Sequence, residues 1–116
     1  MTKLALLISK MEGYGTPGAI PTIDNNPGDL RHSPHSEHSP DAPNAIGRID
    51  TEAEGWADLE RQLQLYAERR MTLAQAIYEW APASDGNDPS GYLQFVCDGL
   101  GLPPETPVAT ALQVLA

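Results

Sequence analysis

A carboxylate at the end of an apolar helix is the residue in this chain best suited to acid catalysis. Leu4, Leu7, Ile8 and Met11 recur at offsets of three, four and seven, which places them on one face of a helix. Glu12 follows Ile8 by four residues, so it continues that stripe. Desolvation by the apolar face and the negative end of the helix dipole both disfavour its charged form, and both therefore raise its pKa. A glutamic acid that keeps its proton near neutral pH can give it to a leaving group. The competing reading is a helix-end glutamate turned out into water.

Two other groups of residues carry chemistry. His32, His35 and His38, with Glu37 among them, are ligands of the types zinc uses. Their spacing fits no metal motif, and Pro34 and Pro40 favour an extended segment over a helix that could aim the rings together, so the expectation is a solvated polar loop with no metal and no cofactor. Cys97 is the single cysteine, which rules out an internal disulfide; its place in a helical run makes it a small buried apolar residue. With Cys97 buried and no Gly-x-Ser-x-Gly turn, a serine or cysteine hydrolase is not expected.

Those residues must be positioned by a small scaffold. The 116 residues suffice for one domain, 1–116, with one core. A formal net charge of -9, with seven scattered Lys and Arg, excludes a nucleic-acid binder and electrostatic attraction to anionic membranes. No apolar stretch is long enough for membrane insertion, and Leu4 to Ile8 is too short for a secretory core, so no signal peptide is expected.

Helix one runs from Thr2 as N-cap to Glu12, with Gly13 ending it. From Gly13 to Asn44 the chain has six of the eleven prolines and almost no periodicity. Its turn dipeptides, with Ile20, Ile23 and Leu30 as packing residues, predict an ordered loop. Ala45 to Asp50 alternates weakly and predicts a short strand. Thr51 to Glu54 is a capping box opening a long helix with Trp56, Leu59, Leu63, Tyr66 and Ala67 inward and Glu60, Arg61, Glu68 and Arg69 in water. Thr72 to Gln75 caps a shorter helix through Ile77 and Trp80 that stops before Pro82. Asp88-Pro89 opens another, with Tyr92, Val96 and Leu100 sharing a face, and Thr106-Pro107 a last one with Val108, Ala111, Leu112 and Leu115 inward. The fold class is mainly α: about five helices, with a long ordered loop and a minimal β element after helix one.

The order of pieces along the chain resembles the lysozyme-like superfamily, in particular small phage and bacterial muramidase or lytic transglycosylase domains of endolysin type. The pieces are Glu12-Gly13, then Asn25-Asn26-Pro27-Gly28-Asp29-Leu30-Arg31, then Gly55-Trp56, then Trp80-Ala81-Pro82 with Asn87 and Tyr92. The resemblance implies an α+β lysozyme-like fold and cleavage of peptidoglycan glycan strands with Glu12 as the acid. It also implies a phage or prophage origin, action at the cell wall after release or within a virion, and other virion proteins as partners. Three departures stand against it: Asp29 where such domains usually have Asn, no signal peptide, and the histidine-rich segment. The alternative is a non-catalytic virion structural or wall-binding module on the same fold.

Glycosidic cleavage commonly uses a second carboxylate. Asp50 is the candidate, because the strand region of a lysozyme-like fold faces the catalytic glutamate; Asp24 and Asp29 are weaker alternatives, and the substrate's own N-acetyl group is another. Tyr14 and Tyr92 have rings and hydroxyls suited to sugars. Asn25 and Asn26 suit left-handed turn geometry that would hold the loop against Glu12, and with Arg31 they complete the candidate substrate-binding set. Arg31 in direct contact with Glu12 would lower its pKa. Trp56 and Trp80 read as core.

Overall fold

Each main helix begins where the chain supplies an acceptor for its free N–H groups. In a computed structural model describing residues 1–116, α1 spans Lys3–Glu12, and the Thr2 hydroxyl accepts from the Ala5 N–H at 3.2 Å. A short helix α2 spans Ile20–Ile23. Helix α3 spans Glu52–Glu68, with Thr51 accepting from the Glu54 N–H at 3.2 Å. Helix α4 spans Leu73–Trp80 behind a reciprocal box between Thr72 and Gln75. A 3-10 turn, Ala83–Asp85, leads to α5, Pro89–Leu100, capped by Asp88. Helix α6, Val108–Ala111, is a single turn. Gly13 and Gly101 end α1 and α5 at φ 86 and 70, left-handed geometry that side chains disfavour.

Helix α1 lies against both α5 and α3, and its Leu4, Ala5, Leu7 and Ile8 are buried with Leu59 and Leu63 of α3, Ile77 of α4, and Val96 of α5. A Cβ at Gly99 would sit 2.6 Å from Leu7 Cδ2, so any larger residue there would displace the Leu7 side chain at the α1–α5 contact. The Glu60 carboxylate accepts from the Thr2 N–H and hydroxyl, both at 2.9 Å, and ties α3 to the start of α1. Glu60 is therefore partly buried and bonded, where the sequence pattern placed it in water.

The long segment between α1 and α3 is ordered, but by polar bonds and not by the expected apolar residues. Ile20 and Ile23 are 59% and 66% exposed. Asn26 is fully buried, with Pro27 and Ile49; its amide donates to the Leu30 and Gly47 carbonyls at 2.8 Å and its Oδ1 accepts from the Leu30 N–H at 3.0 Å. Asn25, at φ 51, donates to the Ile49 carbonyl at 3.0 Å and the Asp50 carbonyl at 3.2 Å. The two asparagines staple Leu30 and residues 47 to 50 onto one turn. A Cβ at Gly55 would collide with the Asn25 carbonyl oxygen and lie 2.9 Å from Pro27 Cδ, so α3 can dock on this turn only with glycine there.

Helix α3 holds the histidine segment through Asp58, which is 2% exposed. Its carboxylate accepts from the Ser33 hydroxyl at 2.5 Å and from the His35 N–H at 2.9 Å, and its other oxygen lies 2.6 Å from His35 Nδ1. His32 and His38 stack on each other at 4.8 Å between centroids, so the three imidazoles do not converge. No group of three or more His, Cys, Asp or Glu is arranged to hold a metal ion.

Three expectations are corrected. No strand forms over 45–50: successive N–H groups of Gly47, Arg48 and Ile49 go to Leu30, Glu37 and Asp24, three different segments, so no ladder can propagate and only a single Glu37–Arg48 bridge results. There are six α-helices, the addition being α2, whose single turn is too short to show a period. Met11 and Leu115 are 39% and 72% exposed, because the terminal turns of α1 and of the chain run past the edge of the core.

Candidate active site

Helix α1 delivers Glu12 to the mouth of a cleft of about 440 Å³. One wall comes from the Asn25-to-Arg31 turn, which contributes Gly28, Asp29, Leu30 and Arg31; the other from the α3 and α4 residues Gln62, Tyr66, Glu79 and Trp80. Asp85 and Asn87 from the loop before α5, and Ile46, complete it. Gly28 sits so close beneath Trp80 that a Cβ would meet the indole at 3.3 Å, which makes the turn and the aromatic wall one packed unit.

Glu12 is partly buried, and burial pushes its carboxyl above the ordinary range. The Tyr92 hydroxyl donates to Glu12 Oε2 at 2.8 Å and acts the other way, favouring the carboxylate; the nearby Asp29 charge raises the pKa again, and the Trp80 indole lowers it. The balance is upward, in the direction an acid catalyst requires. Tyr92 thus gives the Glu12 carboxyl a fixed donor on one of its two oxygens. Tyr92 itself is buried, and its hydroxyl is held well above the usual phenol range by burial and by Glu12, so it stays a donor.

Of the other carboxylates lining the cleft, Asp29, Glu79 and Asp85, it is Asp29 whose charge acts on Glu12. Asp29 adopts φ 52, and its Oδ1 is buried without a hydrogen-bond partner. Burial raises its pKa, the Asp24 charge raises it further, and Arg31 lowers it. Arg31 does not contact Glu12 directly: its guanidinium donates to the Asn44 carbonyl at 3.0 Å and lines the cleft beside Asp29.

Of the residues picked from the sequence, the structure brings together Glu12, Tyr92, Arg31 and Asp29, the last named only as a weaker alternative to Asp50. Asp50 stands outside the cleft lining, with an exposed side chain paired to Arg48 at 3.1 Å, because the segment expected to be a strand turns its backbone to Asn25 instead of presenting Asp50 to Glu12. Tyr14 also lies outside: its hydroxyl donates to Glu52 and its ring meets Trp56 edge-on at 5.4 Å. Asn25 and Asn26 spend their amides on backbone carbonyls and line no part of the cleft.

Trp80, expected in the core, packs against it on one side and lines the cleft on the other, with its ring edge-on to Tyr66 at 6.2 Å. Tyr66 is under Arg69, which pairs with Glu79 at 2.9 Å. A tryptophan in the last turn of a helix, just before Ala81-Pro82, was the available signal that one face of the ring would be left uncovered.

No protein-family profile, curated protein or solved structure matches this chain.

Proposed function

We propose that the protein cleaves the glycan strand of peptidoglycan, with Glu12 as general acid on a lysozyme-like scaffold. The reading rests on one observation above the others: a protonation-prone carboxyl at the end of α1, fixed on one oxygen by Tyr92 and facing a cleft with an aromatic wall. The order of Glu12-Gly13, the Asn-Asn-Pro-Gly turn, Gly55-Trp56 and Trp80-Ala81-Pro82 supports the same family.

In this scheme the Glu12 proton passes to the glycosidic oxygen as the C1–O bond breaks, and the positive charge developing at the sugar is stabilised by Asp29 or by the substrate's own acetamido group. The resulting Glu12 carboxylate then takes a proton from the attacking hydroxyl. If that hydroxyl is water the product is a reducing sugar; if it is the sugar's own C6 hydroxyl the product is the 1,6-anhydro form, lighter by one water. Trp80, half-buried at the cleft wall, offers the apolar surface on which a pyranose face can lie.

The test is incubation of the purified protein with isolated cell walls, following turbidity and the masses of released fragments. Glu12→Gln keeps the shape and removes the proton, so release should fall by about a hundredfold or more while the fold persists. Wall binding without any released fragments would instead favour a non-catalytic wall-binding module, and an equally active Glu12→Gln would refute the acid.

A further inference from the structure

We propose that the histidine segment is a proton-dependent strap on the cleft: the His35 imidazolium, seated between two carboxylates of α3, holds the segment down, and loss of its proton loosens the cleft wall at Leu30, Arg31 and Ile46. The device concerns the wall itself and does not rest on what the cleft cleaves. The buried Asp58 carboxylate accepts from the Ser33 hydroxyl at 2.5 Å and the His35 N–H at 2.9 Å, and its other oxygen lies 2.6 Å from His35 Nδ1. Across the ring, Nε2 lies 3.5 Å from Glu54 Oε2, while Glu54 Oε1 accepts from the Thr51 hydroxyl at 2.9 Å. A neutral imidazole has one N–H and can donate to only one of these carboxylates; the imidazolium donates to both. Asp58 and Glu54 are the charged groups that face the ring, and both belong to α3. His32 and His38 are turned elsewhere, stacked on each other and bonded to Asn44 and to the Arg31 carbonyl. The His35 side chain is 43% exposed, so its proton exchanges with water.

A short run of contacts joins the strap to the cleft. The Ser33 hydroxyl that bonds Asp58 also lies 2.7 Å from the Ser36 hydroxyl, and Ser36 presses on Gly47, where a Cβ would lie 2.7 Å from Ser36 Cβ. Gly47 donates its N–H to the Leu30 carbonyl at 2.9 Å, and its own carbonyl accepts from the Asn26 amide at 2.8 Å. Leu30, Arg31 and Ile46, bonded or adjacent to these groups, line the cleft. Once His35 gives its proton to water, the lone pair on Nε2 faces the Glu54 carboxylate, and the charge that offset the buried Asp58 is gone. The segment then sits less firmly on α3, and Gly47 loses its backing. The hydrogen bond to Asp58 above all, with the charges of Asp58 and Glu54, holds the His35 pKa above the ordinary imidazole range against the desolvation of the ring. The strap is therefore tight below the unfolded pKa of His35 and loosens as pH rises through the folded one.

NMR of the full chain carrying Glu12→Gln tests the strap with the acid's own titration removed and with no substrate present. The His35 ring resonances, the Ile46 methyls and the exchange protection of the His35 and Gly47 amides are followed from about pH 5 to about pH 9. Protection of both amides should fall about fivefold, the difference between a hydrogen bond from a charged donor and one from a neutral donor, and the Ile46 methyls should shift with the same midpoint as the His35 ring. Val96, in the core of α5, should show no such step. His35→Gln, which keeps a side-chain donor but cannot titrate, should abolish the step. Glu54→Gln keeps the acceptor for Thr51 and removes one counter-charge, so it should move the midpoint to lower pH. A His35 ring that titrates while Gly47 and Ile46 do not respond overturns the coupling. A step that survives His35→Gln, or a midpoint that Glu54→Gln leaves in place, overturns the strap, and the second arm decides the matter should His35→Gln fail to fold. Either failure leaves the cleavage reading untouched, since that reading is tested by fragment release.

Discussion

Removing the Tyr92 hydroxyl tests the acid at its one fixed contact. Tyr92→Phe deletes a buried donor 2.8 Å from Glu12 Oε2 and leaves the ring packing unchanged. A hydrogen bond between neutral partners contributes about 1 kcal/mol net, and one to a charged group about 1.5 to 3 kcal/mol. The loss should therefore be about 1 kcal/mol in acid, where Glu12 is neutral, and about 2 kcal/mol above its folded pKa, where it is a carboxylate. The sign follows from linkage. Glu12 has a folded pKa raised above its unfolded value, so its contribution is complete below the unfolded pKa and is lost as pH rises through the folded one. Tyr92 holds that pKa down; without it the pKa goes higher, and the variant loses stability over a wider span of pH than the parent. The alkaline limb of the cell-wall clearing rate should move to higher pH for the same reason.

Urea unfolding of parent and variant over a series of pH values measures the difference directly. A penalty that is flat across pH would refute the claim that Tyr92 bonds a titrating Glu12. The same series on a Glu12→Gln background supplies the control, since glutamine has no proton to lose there and the pH dependence of the Tyr92→Phe penalty should disappear.

Asp29→Asn keeps a residue type that tolerates φ 52 and removes a carboxylate with an orphaned buried oxygen, so urea unfolding near neutral pH should show equal or higher stability. The gain should grow as pH rises through the raised Asp29 pKa, and Glu12, relieved of that charge, should show an alkaline activity limb at lower pH. Gly55→Ala should cost about 1 to 3 kcal/mol by overpacking against Asn25 and Pro27, and activity should fall further than stability because the displaced turn carries Asp29; a neutral thermal melt would refute the close approach. Asp58→Ala strips three bonds from the Ser33–His35 segment and should cost about 1 to 3 kcal/mol, with protease cutting concentrated at residues 33 to 36. The parent segment should resist cutting best at intermediate pH: Asp58, held low by its bonds, loses its contribution as pH falls through its folded pKa, and His35, held high by Asp58, loses its own as pH rises.

The helices were legible because their signals are local. Thr2, Thr51, Thr72 and Asp88 cap where a side-chain oxygen precedes an apolar period, and Gly13 and Gly101 end α1 and α5 where only a left-handed residue fits. The segment before α3 was not legible in the same way. Its weak alternation over 45–50 looked like a strand because alternation records which side chains point inward and says nothing about where the N–H groups go. They go to three separate segments, and Asp50, placed at the end of an expected strand, consequently faces Arg48 and solvent.

The cleft residues divide along the same line. Glu12 could be found because one apolar stripe and one helix end determine its surroundings, and both act within a few residues of it. Asp29 reaches the cleft only when the Asn25-to-Arg31 turn docks on α3, an event that depends on Gly55 having no side chain and on Asn26 being wholly buried with its amide bonded to the Leu30 and Gly47 carbonyls. The asparagine pair thus affects the chemistry without touching the cleft. By fixing the turn, it brings a second carboxylate near Glu12, and that charge raises the proton affinity of the acid.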